Sequence, residues 1–106
     1  MAKGYIIARV TVNDADAYME YAKRARVVMA EYGAKILVLG GRSEALQGDA
    51  RARNVVLEFE SYEKAEAYYN SPGYRAAREF RLADGVSEGE FLLIEGFDGP
   101  QPGDSH

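Results

Sequence analysis

The sequence predicts an α+β domain of ferredoxin-like type, a βαββαβ chain with a four-stranded antiparallel sheet and its helices on one face. Three observations carry this prediction. Apolar residues alternate in β-like runs near both ends and twice in the middle, two helix-period stretches separate those runs in the order of a split βαβ arrangement, and 106 residues suffice for one core. Right-handed crossovers then place the first and third strands side by side at the centre of the sheet.

The first strand, expected near 4–12, is the β-branched run Tyr5-Ile6-Ile7-Ala8-Arg9-Val10-Thr11-Val12, which stops at the polar pair Asn13-Asp14. From Asp14 the residues Tyr18, Tyr21, Ala22, Ala25, Val28, Met29 and Tyr32 recur at helical steps up to Gly33, which predicts a helix over 14–32. Strands near 34–39 and 53–60 follow, joined by a long loop with turn glycines at Gly40, Gly41 and Gly48. Ser61 caps a helix over 62–70, and Asn70-Ser71-Pro72 breaks it, because Ser before Pro is a helix start. A helix over 72–83 and a strand over 90–96 complete the domain, assigned to residues 1–99, and 100–106 are expected to form a flexible tail.

Alternation within the strands predicts a homodimer. Ile6, Ala8, Val10 and Val12 form one row with Val55, Leu57 and Phe59, suited to the helices. Tyr5, Ile7 and Val56 fall on the other face, and Phe91 and Leu93 are expected to join them there. Such a face is too apolar for water, so the sheet of a second copy is the expected cover. Arg9 and Glu58 lie on this face and could form a cross-strand ion pair.

Composition removes several functions. The absence of cysteine excludes disulfides, thiolate metal sites and a cysteine nucleophile, and the only histidine, His106, lies in a terminus expected to fray. No metal site and no cofactor are expected. A net charge of −4 argues against nucleic acid as a partner, and no apolar run approaches the roughly 20 residues of a membrane span. The opening Met1-Ala2-Lys3-Gly4-Tyr5 has no signal-peptide character, so the cytoplasm is the expected location.

The chain resembles the domain of unknown function 1330 family of the dimeric α+β barrel superfamily, from Gly4 to Gln101. The resemblance rests on Tyr5-Ile6-Ile7-Ala8, Asp14 with Tyr18 and Tyr21, Tyr32-Gly33-Ala34, Gly40-Gly41-Arg42 and Asn54-Val55-Val56-Leu57-Glu58-Phe59. In the second half it rests on Tyr69-Asn70-Ser71-Pro72-Gly73-Tyr74, Arg81 and Glu95-Gly96-Phe97-Asp98-Gly99-Pro100-Gln101. It implies a subunit whose sheet pairs with that of its partner to form a barrel, and it implies no reaction. Superfamily relatives include cofactor-free monooxygenases, lactone isomerases and haem-dependent enzymes, so fold analogy spreads the expectation. Two positions depart from the family's usual pattern, with Leu39 and Gln47 in place of Arg and Glu.

The residues that could form a site are tyrosines and arginines. Tyr18, Tyr69 and Tyr74 are expected to converge between the helices and the sheet, with Asn70 and the start of the third helix able to hold a carboxylate or enolate oxygen. Arg81 is the expected positive charge. Arg78 lies one turn away and could grip the same anion, although paired arginines on a helix usually face solvent. Two functions stay open: a cofactor-independent oxygenase or isomerase acting on a small oxygenated or aromatic molecule, and a non-catalytic ligand-binding or stress-related module. A structural dimer is a third.

Overall fold

A computed structural model describes residues 2–104. The elements run β1 (Gly4–Val12), α1 (Ala15–Glu31), β2 (Lys35–Leu39), β3 (Arg53–Phe59), α2 (Tyr62–Tyr69), α3 (Pro72–Leu82) and β4 (Ser87–Glu95). The sheet is antiparallel in the order β2-β3-β1-β4, with β1 and β3 central as the crossover rule requires. Ser105 and His106, the end of the expected tail, lie outside the described residues.

Each helix starts on a side-chain oxygen that satisfies a free backbone amide. Asp14 accepts from the Ala17 amide at 3.1 Å and Ser61 from the Lys64 amide at 3.1 Å. At the break, the Ser71 hydroxyl donates to the Tyr68 carbonyl at 2.7 Å and accepts from the Tyr74 amide at 3.2 Å. One buried side chain thus closes α2 and opens α3, with Pro72 at the first helical turn where no amide partner is needed. This junction fixes Tyr68, Tyr69 and Tyr74 relative to one another.

The core lies between the helices and the inner row of the sheet. Ile6, Ala8, Val10, Val55, Leu57 and Phe59 are buried there beneath Tyr18, Tyr21, Ala25 and Val28 of α1 and Tyr74 and Ala77 of α3. Gly4 is needed at the edge of this core, since a Cβ at its position would sit 2.3 Å from the Ser61 carbonyl oxygen. Gly4→Ala should therefore lower stability by about 2 kcal/mol, measured as a shift of the urea midpoint at unchanged slope.

Three expectations need correction. β4 begins at Ser87 rather than near 90, because Val12 pairs with Ser87 and the polar stretch is drawn into the sheet by its partner strand. Phe91 pairs with Ala8 and Leu93 with Ile6, so both face the helices. The run Leu92-Leu93-Ile94 carries no alternation from which to read a face, and register alone decides it. The outer face consequently holds Leu92 and Ile94 beside Tyr5, Ile7 and Val56. Arg9 stands opposite Asn54, away from Glu58, and its guanidinium meets Glu90 at 3.8 Å, whereas Glu58 accepts from the Tyr5 hydroxyl at 2.9 Å.

β2 carries a bulge at Leu37, where the register shifts between Ile36 and Val38. The extra residue resets which side chains point inward. Ile36 pairs with Leu57 and Leu39 with Val55, so these two side chains face the helices from either side of the bulge.

Candidate functional site

Residues 18 and 21 of α1 lie one turn apart, and residues 74 and 81 of α3 lie two turns apart, so each pair occupies a single helix stripe. Both stripes face the sheet. Tyr18, Tyr21, Tyr68, Tyr74 and Arg81 are all buried, and Tyr69 is half-buried. The rings pack in contact, with centroids 5.2 Å apart for Tyr18 and Tyr21, 6.0 Å for Tyr21 and Tyr74, and 4.9 Å for Tyr74 with each of Tyr68 and Tyr69.

A hydrogen-bonded chain runs through this cluster. Arg81 Nη2 donates to the Tyr69 hydroxyl at 3.1 Å and to the Tyr74 hydroxyl at 3.2 Å, and the Tyr74 and Tyr21 hydroxyl oxygens are hydrogen-bonded to each other at 2.8 Å. The guanidinium also lies 3.8 Å over the Phe91 ring. With 8% of its surface exposed, Arg81 has no carboxylate in ion-pair range among the described residues. An uncompensated buried cation is costly, by several kcal/mol in most settings.

The cluster borders a cavity of about 170 Å³ between sheet and helices. Ala8, Val55, Leu57 and Phe91 form its floor, and Tyr18, Tyr21, Tyr68, Tyr69 and Tyr74 line it from the helices. Its exposed lining residues Met19, Lys23, Arg26 and Leu39 mark an opening between α1 and the end of β2. A cavity of roughly 150 Å³ accommodates one benzene ring, so the occupant is limited to about one ring with its substituents. Three basic residues and no acidic one line it.

Burial pushes the phenols of Tyr18, Tyr21, Tyr68 and Tyr74 above the ordinary tyrosine range, and Arg81 offsets part of this at each of them. At neutral pH they are therefore hydrogen-bond donors and not bases. A guanidinium donating to a phenol oxygen strengthens that phenol as a donor, which suits an oxyanion. Among the described residues no three His, Asp or Glu side chains group as metal ligands do.

Of the residues expected from the sequence, Tyr18, Tyr69, Tyr74 and Arg81 come together. Asn70 does not. It caps α2, exposed, with its side-chain amide donating to the Glu66 carbonyl at 3.1 Å. Arg78 also departs from Arg81 and stacks over Tyr69 at 5.5 Å. Tyr21, Tyr68 and Arg53 join the cavity without having been assigned to a site. Arg53 was legible from parity, since it precedes Val55, Leu57 and Phe59 in the inward row. Leu39, at the end of β2, also lines the cavity.

This architecture defines a ferredoxin-like α+β protein with an aromatic cavity between its two layers. The chain belongs to the domain of unknown function 1330 family, whose profile matches residues 3–97. No curated protein matches it. Among solved structures it is similar to a protein of unknown function from Rhodopseudomonas palustris, at 18% identity and a TM-score of 0.74, covering 92% of this chain and 85% of that one. A dimeric protein of unknown function and ferredoxin-like fold from Bacteroides fragilis aligns at 13% identity and a TM-score of 0.59, over 90% and 96% of the two chains. SnoaB, a cofactor-independent oxygenase from Streptomyces nogalater, aligns at 15% identity and a TM-score of 0.57, over 95% and 96%. At these identities the likeness is one of fold. No helix among the described residues is long and apolar enough to cross a membrane.

Proposed function

We propose that the protein binds a small oxygenated aromatic or enolisable molecule in this cavity and stabilises its oxyanion. The observation that carries the reading is Arg81: a buried cation with no carboxylate partner among the described residues, held by the hydroxyls of two tyrosines that line the cavity. An anionic oxygen bonded to Tyr69 or Tyr21 would supply the missing negative charge through one phenol.

4-Nitrophenol is a suitable probe because its anion alone absorbs strongly in the visible. Below its solution pKa, added protein should raise the visible absorbance, and Tyr74→Phe should weaken this response by about tenfold while the domain stays folded. Equal absorbance with and without protein at saturating concentration would remove the oxyanion reading.

Turnover of the bound molecule, of oxygenase or isomerase type, is a second reading. The Arg81–Tyr74–Tyr21 chain favours it, because donors that stabilise an enolate or phenolate also lower the barrier to forming one. Oxygen uptake, or isomer formation followed by NMR, with quinols and lactones separates turnover from binding alone.

The functional unit in this proposal is a homodimer through the outer sheet face. That face exposes Leu92 at 53% and Ile94 at 43% beside Ile7 and Val56. The loop between β2 and β3 leaves Leu46 93% exposed, and the radius of gyration is 15.1 Å where a compact chain of this length has about 13 Å. Both features fit a chain that packs against a second copy, and the Bacteroides fragilis protein with this fold is dimeric.

A further inference from the structure

We propose that Arg53, flanked by Arg26 and Lys23, forms a carboxylate subsite at the mouth of the cavity, so that the ligand is a monocyclic aromatic acid with its carboxylate outward and a second oxygen inward. This rests on the binding reading above and extends it to the class of ligand.

Arg53 occupies the inward row of β3, opposite Val10, where the neighbouring residues are apolar. Its Nε is buried without a hydrogen-bond partner, and no carboxylate of the described residues lies in ion-pair range of its guanidinium. Carboxylates are not scarce in a chain of net charge −4. On the outer face Arg51 makes paired hydrogen bonds to Glu90 at 2.9 and 2.8 Å, and Arg9 meets the same Glu90. Arg51 and Arg9 are thus compensated by carboxylate, whereas Arg53, which lines the cavity, has none among the described residues. Arg26 likewise has no carboxylate in range among the described residues, while Glu20 lies 3.8 Å from Lys23 and 3.6 Å from Arg24.

A run of tyrosines connects the two cationic ends. Arg53 lies 5.3 Å over the Tyr18 ring, and Tyr18 packs against Tyr21, whose hydroxyl joins the Tyr74–Arg81 chain. The Tyr18 phenol, raised by burial, feels the charge of both guanidiniums. A guanidinium offers a planar fork that a carboxylate fills with two parallel hydrogen bonds. One aromatic ring between the ends matches both the cavity volume and its apolar floor.

Titration calorimetry with 4-hydroxybenzoate and its neutral methyl ester tests this. The acid should bind about tenfold more tightly than the ester, and Arg53→Gln should remove that preference, with the acid losing far more affinity than the ester. Arg53→Lys should keep part of it, because charge remains without the fork. Ester binding to each variant reports that the cavity is intact. Equal affinity for acid and ester, or a preference that survives Arg53→Gln, would overturn the subsite and leave the cavity reading standing. If neither compound binds the unmodified protein, the cavity reading falls and the subsite with it.

Discussion

Replacing Val56 by Lys is expected to convert the protein from dimer to monomer or aggregate, the largest single effect anticipated for this molecule. Val56 lies on central strand β3, opposite Ile7 of β1 and Val38 of β2, in the middle of the outer face. An ammonium placed there and covered by a second copy meets its symmetry mate or apolar side chains, and neither replaces its hydration. The inner face is untouched, so the monomer should retain its helical and strand content by circular dichroism. Val27→Lys is the control, because Val27 is 64% exposed on α1, on the opposite side of the molecule from the outer sheet face. Light scattering should give about twice the 11.7 kDa chain mass for the unmodified protein and for Val27→Lys. A monomeric unmodified protein at micromolar concentration would end the dimer proposal.

Arg81→Met should reduce the affinity for 4-nitrophenol by more than about tenfold yet change unfolding free energy by no more than roughly 1–2 kcal/mol. The two effects separate because they have different origins. Binding loses the charge that polarises Tyr69 and Tyr74 and that an anion would neutralise. Folding loses two or three hydrogen bonds but no longer buries an uncompensated cation, and methionine fills much of the same volume over Phe91. The Tyr21–Tyr74 bond stays in place. A parallel loss of stability and affinity would mark Arg81 as a packing element of α3.

Sequence patterning went furthest where one face of an element is plainly apolar. The inward row of β1, the Tyr18–Tyr21–Ala25–Val28 stripe of α1 and the Ser-Pro start of α3 each announce a local structure through residue chemistry alone. Four of the five expected site residues gather for that reason, since they sit on stripes whose inward side is fixed by their neighbours. Asn70 lies apart from the other four because a polar residue at a helix end has a nearer acceptor, the carbonyl of Glu66, than any cavity. Phe91 and Leu93 failed because four consecutive apolar residues in β4, Phe91 to Ile94, hide the parity that pairing with β1 imposes. The inward turn of Leu39 depends on the bulge at Leu37, which five consecutive residues of Lys-Ile-Leu-Val-Leu do not encode visibly. Arg81 illustrates a further limit. The sequence makes it a candidate cation, but only the packed structure reveals that no carboxylate of the described residues accompanies it.

The central claim, that the cavity between sheet and helices is the binding site, is tested most directly by methyl NMR during titration with 4-hydroxybenzoate. A ring bound in the cavity shifts methyls on its floor through the ring current, so Ala8, Val55 and Leu57 should move in a saturable way. Ile7, Val56 and Leu92, on the outer face of the same strands, should stay in place. Saturable shifts confined to the outer-face methyls, or no saturable shift at any of the six, would contradict the account.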